Sequence, residues 1–187
     1  MIAEHQVRTA IEEYLARNPQ DRHALAAVTA LLDQGADLTR RTSFPVHATV
    51  GALLLDTDGF VLTIVHKAYG LILQPGGHLE PDDDSLIGAA LRELSEECGI
   101  DPSLVTVVSE VPAYIEYGPV PARPEISEPA HRHLDFGFLL TTEGQRPATT
   151  AQVEEVASLA WRRIEGIDQV LPAAVARALT AHASRRS

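Results

Sequence analysis

Residues 76–100, Gly-Gly-His-Leu-Glu-Pro-Asp-Asp-Asp-Ser-Leu-Ile-Gly-Ala-Ala-Leu-Arg-Glu-Leu-Ser-Glu-Glu-Cys-Gly-Ile, constrain this 187-residue chain more than any other stretch. A glycine turn leads into a helix-length segment that ends at Gly99. At about 100° per residue, Ile87, Ala90, Leu91, Leu94 and Cys98 fall on one apolar stripe. Glu93, Glu96 and Glu97 share an arc beside it. Like charges three and four residues apart repel on a helix, so something positive must compensate them. Acids of this kind, taken alone, describe a solvated helix face, but the flanks here argue for more. Gly76 and Gly77 permit close backbone approach. Asp82, Asp83 and Asp84 stand where a helix start favours caps and negative charge, and Gly99 stands where a helix end favours a left-handed residue. A divalent ion with hard oxygen ligands, Mg²⁺ or Mn²⁺, fits this acid set best, because such ions take a few carboxylates and keep water and phosphate oxygens.

The segment resembles the signature box of the Nudix hydrolases, G-x5-E-x7-R-E-U-x-E-E-x-G-U with U aliphatic. Its right half matches at Arg92, Glu93, Leu94, Glu96, Glu97, Gly99 and Ile100. Its left half departs: fourteen residues separate Gly77 from Arg92 where the pattern has thirteen, and an aspartate, Asp83 or Asp84, replaces the first glutamate, while Glu80 lies too early. If the two aspartates are interchangeable, either single alanine change costs little and the double change more. The resemblance implies cleavage of a pyrophosphate bond by water in a nucleoside diphosphate linked to another moiety; the alternative is a non-catalytic nucleotide-binding protein on the same fold. By the same resemblance Glu93, Glu96, Glu97 and Arg92 form the catalytic set. Glu93, Glu96, Glu97 and the Gly77 carbonyl hold Mg²⁺ or Mn²⁺, and Arg92 pairs with a carboxylate to hold the helix face.

The net charge of −11 excludes the basic footprint of a nucleic-acid binder. It also means that an anionic substrate needs local cations, for which Lys67, Arg123 and Arg132 are the candidates. Lys67 is the single lysine against fourteen arginines, a bias that fits a GC-rich bacterial genome. No apolar run approaches a membrane span, and the first residues, with Glu4 and Glu12, lack a signal-peptide pattern. These features predict a cytoplasmic protein with a small-molecule nucleoside diphosphate derivative as its partner, no nucleic acid polymer and no membrane. The lone Cys98 excludes an internal disulfide and reads as a small core residue.

Hydrophobic periodicity predicts helices over residues 2–17 and 22–33. This hairpin is read as an extension spanning 1–40, serving packing or a possible homodimer, ahead of a Nudix hydrolase domain over 41–187. Strands are predicted at Val46–Leu55, Phe60–His66, Leu71–Leu73, Leu104–Val111, Tyr114–Tyr117, Arg132–Thr142 and Ala157–Arg163, with a last helix over Gly166–His182. The fold class is therefore α/β, and the resemblance implies an α/β/α sandwich on a mixed sheet. Gly118–Ala130 contains four prolines and is long enough to be a functional loop. On the strand after it, His131, His133 and Asp135 share one face; His133 and Asp135 are expected at the pocket wall, orienting substrate or a metal-bound water. Trp161 is expected to anchor the core, and by the family resemblance Tyr117, seventeen residues after the box, points to diadenosine polyphosphates.

Overall fold

The computed structural model of the chain describes residues 1–67, 70–124, 127–142, 144, 146–152 and 156–186. Helices α1 (Glu4–Arg17) and α2 (Arg22–Asp33) form the predicted hairpin, joined by a 3₁₀ turn at Pro19–Asp21. The strands follow as β1 (Val46–Leu55), β2 (Phe60–His66), β3 (Leu71–Leu73) and β4 (Gly76–His78). Helix α3 (Leu86–Cys98) comes next, then β5 (Val105–Val107), β6 (Tyr114–Val120), β7 (His131–Thr142), β8 (Val156–Arg163) and α4 (Ala173–Arg186). The expected strand over Leu104–Val111 shortens to β5 because Pro102–Leu104 winds into a 3₁₀ turn. The last helix starts at Ala173, since Pro172 cannot donate within a helix and is tolerated only at its start.

The eight strands make one mixed sheet. Its spine is the parallel pair β1–β7, in register from Val46↔Arg132 to Leu55↔Thr141. β2 pairs along one edge with β1 and β3 and along the other with β8, β4 adds to β1, and β5 and β6 pair antiparallel with β7. Alternation along β1 decides what each face does. Ala48, Val50, Leu134 and Phe136 face the hairpin and the start of α3, in a cluster with Val7, Ile11, Tyr14, Leu25, Val28 and Leu32. Ala52, Leu54 and Leu140 continue that layer under Leu94 and Cys98 of α3. Leu53, Leu55 and Leu139 face the opposite way, under Val175 and Leu179 of α4. The hairpin thus packs into the same core as the sheet.

On the α4 side, the row His47-Thr49-Gly51 of β1 runs beside His133-Asp135-Gly137 of β7. These side chains are polar or absent where α4 no longer covers the sheet, and that is where a cleft opens. Gly51 and Gly137 are needed for one reason: a Cβ at either would meet Tyr114, 1.8 Å from its ring at Gly137 and 2.7 Å from its hydroxyl at Gly51. Tyr114, 2% exposed, lies across both strands and closes the cleft floor. Cys98 is fully buried, and burial pushes its thiol up to about 12, which fits its reading as a core residue. Trp161 is half-buried at the edge of the α3-side core, with the Arg146 guanidinium 5.3 Å from its ring.

Candidate active site

Helix α3 starts one residue later than the aspartate run suggested. Ser85 is the N-cap, its hydroxyl accepting from the Gly88 amide at 3.0 Å. Asp82, Asp83 and Asp84 therefore lie in the turn before the cap. At the other end Gly99 takes φ 67°, ψ 21°, the left-handed stop its position predicts. Between these ends the acids are less exposed than an amphipathic projection implies: Glu97 is 2% exposed and Glu93 9%, while Glu96 is at the surface. The cause is β4, whose glycines bring main chain against the helix. The Gly76 amide donates to Glu97 Oε2 at 2.8 Å, and a Cβ on Gly77 would stand 2.4 Å from Glu93 Oε1.

Arg92 is the local counter-charge. Its Nε and Nη2 donate to the two oxygens of Asp83 at 3.0 Å each, and Nη1 donates to Glu93 Oε1 at 3.0 Å and Glu96 Oε2 at 2.9 Å. Nη2 also donates to the His78 carbonyl at 2.9 Å, tying helix to turn. One guanidinium thus reaches the carboxylates of Asp83, Glu93 and Glu96, while Glu97 bonds the Gly76 amide. Paired hydrogen bonds of this fork type are strong and directional. Clustered carboxylate oxygens beside a main-chain turn are the hard donors that fit Mg²⁺ or Mn²⁺.

The two aspartates are not interchangeable. Asp83 is buried; burial alone would raise its pKa, but the Arg92 pair and the Glu80 amide, 2.7 Å from Oδ2, bring it below the ordinary carboxylate value. Asp84 is fully exposed, 3.8 Å from the chain's amino terminus, and its carbonyl accepts from Gln6 of α1 at 2.9 Å. Asp83→Ala should thus cost about 2–3 kcal/mol, somewhat less than breaking a fully buried pair because Arg92 keeps Glu93 and Glu96. Asp84→Ala should stay within about 0.5 kcal/mol. Urea denaturation of the two variants checks this; equal losses would show that the Arg92 pair does not carry the turn.

A cleft of about 660 Å³ abuts this turn, within the range of small-molecule sites. Gly76, Gly77 and His78 form its edge, and Lys67, Arg41 and Arg123 bring cations to it. Arg41, in the segment between α2 and β1, has no periodic pattern around it and was not foreseen. Arg132 is a correction: it lies on the other face of β7, its guanidinium 4.0 Å from the centre of the Tyr117 ring and donating to the Tyr117 carbonyl at 3.0 Å. Alternation carries Arg132 away from the cleft and engages Tyr117 with it.

His133 and Asp135 both line the cleft. Asp135 is a floor residue held by donors: Tyr114 Oη at 2.6 Å, Thr49 Oγ1 at 2.9 Å and Gln74 Nε2 at 3.4 Å. Burial raises its pKa despite these bonds, and it raises that of Glu116 nearby. His133 belongs instead to a group of histidines, with His47, His78 and His131, of which the sequence pattern singled out only the pair on β7. The alternation Val46-His47-Ala48-Thr49-Val50 carried the signal for His47. Burial, with neighbouring cations and imidazoles, pushes His78 down to about 3 and His133 down to about 4, and lowers His47.

These shifts predict a pH dependence. An unfolded histidine titrates near 6.5, so between that value and about 4 the unfolded chain binds protons that folded His78 and His133 do not. Stability from these rings is present above pH 6.5 and lost as pH falls toward 4. Chelator-treated protein should show a lower urea midpoint at pH 5 than at pH 7, with a smaller difference in His78→Gln and His133→Gln. An unchanged difference in both variants would mean these rings charge without penalty in the fold.

An open mixed sheet between helical layers, with an acid-bearing helix packed on a glycine turn at a cleft, defines the class: an α/β sandwich with a carboxylate-rich helix beside its cleft. The chain belongs to the NUDIX domain family, whose model matches residues 45–182. Stretches of 47 residues are 45% identical to uncharacterized Nudix hydrolases NudL of Yersinia pestis and Yersinia pseudotuberculosis, covering 25% of this chain and 24% of theirs. The chain thus matches about a quarter of the length of these curated relatives. In three dimensions it resembles a NUDIX-family hydrolase from Clostridium perfringens, with TM-score 0.55 and 23% identity over 73% of this chain and 97% of that one. It also resembles an Ap4A hydrolase from C. elegans, with TM-score 0.58 and 17% identity over 73% and 95%. At these identities the two structures show the shared fold.

Proposed function

We propose that the protein hydrolyses the pyrophosphate bond of a nucleoside diphosphate linked to another moiety, with Mg²⁺ or Mn²⁺ held by Glu93, Glu96, Glu97 and the Gly77 carbonyl. The observation that carries this reading is the clustering of the α3 carboxylates on a glycine turn, next to a cleft that also gathers Arg41, Lys67 and Arg123. Carboxylates and cations of opposite sign on adjoining surfaces suit a phosphate chain bound through a metal. When bound, the divalent ion supplies charge neutralisation on the phosphate oxygens and a more acidic water.

The chain's own groups have separable tasks. Arg92 fixes Glu93 and Glu96 in position, and the Gly76 amide fixes Glu97. Lys67 and Arg41 attract the phosphates against the overall charge of −11, while Arg123 is held by Glu128, and one of the α3 glutamates accepts the proton of the attacking water. The water oxygen bonds to phosphorus while the bridging oxygen leaves with its electron pair. Membership of the NUDIX family and the Ap4A hydrolase likeness support nucleotide derivatives as a class. Nucleotide sugars, ADP-ribose, diadenosine polyphosphates and modified nucleoside triphosphates should be screened with Mg²⁺ and Mn²⁺, scoring released mononucleotide and phosphate. Cation-dependent release from at least one class is expected. Saturable binding without release from any of them would replace this reading with a nucleotide-binding role.

A further inference from the structure

The histidine group that reaches the cleft through His78 and His133, with His47 and His131 buried behind them, has a geometry that hydrolysis at α3 does not call for. His47 Nδ1 lies 3.2 Å from the Ser43 carbonyl and His131 Nδ1 lies 2.8 Å from the Pro129 carbonyl. A carbonyl only accepts, so both rings donate from Nδ1 and turn Nε2 inward. There His131 Nε2 meets His133 Nε2 at 3.0 Å and Glu128 Oε1 at 3.6 Å. The Nε2 atoms of His47 and His78 are buried, with no hydrogen-bond partner among the described residues. His47, His131 and His133 each offer a ligand atom, all within 4.8 Å of one another, and the same holds for His47, His78 and Glu128.

His131 and His133 bond one another across 3.0 Å, but the buried Nε2 atoms of His47 and His78 have no such partner among the described residues, and an imidazole ligates metal in its neutral form. A tetrahedral ion with Zn–N bonds of about 2.0–2.1 Å holds its ligand atoms about 3.3 Å apart, close to the 3.0 and 3.6 Å separations here. The two Nδ1-to-carbonyl bonds are the outer support that ligating histidines usually have. Arg123 Nε, donating to Glu128 Oε2 at 2.7 Å, leaves Oε1 facing the rings.

We propose that His47, His131 and His133 form a second metal centre for a divalent transition ion of the Zn²⁺ type, distinct from the carboxylates of α3, with His78 and Glu128, which group with His47, beside them. Imidazole nitrogens select Zn²⁺, Co²⁺, Ni²⁺ or Cu²⁺ over Mg²⁺. Its ligands come from β1 and from the start of β7, where the proline-rich segment ends, so the ion would pin that end to the sheet. It would also place a fixed positive charge at the wall of a cleft in an acidic protein.

The test uses untagged full-length protein, stripped with a chelator and kept in excess Mg²⁺ so that hard-oxygen sites are filled. Titration with Zn²⁺ should show one equivalent bound and a melting temperature that rises with free Zn²⁺; Co²⁺ should give the intense visible bands of a tetrahedral site. His131→Gln/His133→Gln should lose the equivalent, the bands and the shift, whereas Glu93→Gln/Glu97→Gln should keep all three. The proposal is overturned if the wild type binds no equivalent, if Co²⁺ gives only weak octahedral bands, or if binding is lost with the glutamates and kept without the histidines. Should the double histidine variant not fold, His133→Gln, on a half-buried ring, takes its place. It should bind Zn²⁺ at least about tenfold more weakly, as even the loss of an outer supporting group does at such centres, and unchanged affinity there also overturns the proposal.

Discussion

Glu97→Gln should lower pyrophosphate hydrolysis by about two to four orders of magnitude, the range typical of removing an acid–base group, with the fold retained. Glu97 is almost wholly buried, and its Oε2 accepts from the Gly76 amide at 2.8 Å. A glutamine has the same shape, and its carbonyl oxygen can accept that bond, so the change removes charge while keeping the turn in place. Relief of repulsion on an exposed face, the argument an amphipathic helix suggests, does not apply to a side chain this buried. The readouts are turnover with Mg²⁺ and with Mn²⁺ at saturating substrate, and the melting temperature. Wild-type turnover with unchanged metal dependence would remove Glu97 from the catalytic set.

Deleting residues 1–40 should abolish cooperative folding rather than trim an accessory. Val7, Ile11, Tyr14, Leu15, Leu25, Val28 and Leu32 are each less than a tenth exposed and share a cluster with Val46, Ala48, Leu134 and Phe136 of the sheet. At about 1.5–3 kcal/mol for each large apolar side chain buried, losing seven of them removes on the order of 10 kcal/mol, as much as the whole stability of an ordinary domain. The deletion also uncovers the part of β1 at Val46, Ala48 and Val50 that packs on the hairpin. A sharp urea transition in the deleted protein, with metal-dependent hydrolysis kept, would show that the sheet and remaining helices form a sufficient core.

Local composition carried the first strands and the end of the acid-bearing helix. β1, β2 and β3 have the bounds of their β-rich apolar runs, and α3 ends at the glycine that its stop signal indicates. Errors fell where the outcome depends on contacts distant in sequence. The burial of Glu93 and Glu97 is set by β4, whose pairing with β1 no helical projection contains. Arg132 looked like a cleft cation because charge was weighed without strand parity, which sends it to Tyr117. His47 and His78 lie on strands that meet β7 only through the sheet, at His47↔His133 and Thr49↔His78, so their convergence with His131 was invisible along the chain. Arg41 reaches the cleft from a segment without regular structure.

The extra residue in the signature turn has a use beyond length. With Asp83 turned in to Arg92, the added residue is displaced outward, and its main chain becomes a landing point for α1: the Asp84 carbonyl takes the Gln6 amide at 2.9 Å, and the amino terminus sits 3.8 Å from the Asp84 carboxylate. Hairpin and lengthened turn are therefore matched parts. Restoring the thirteen-residue spacing by removing Asp84 would leave Gln6 without its acceptor and unlatch the first helix from the loop that feeds the acid-bearing one. Transplanting the hairpin onto a chain with the shorter turn would lack the same latch.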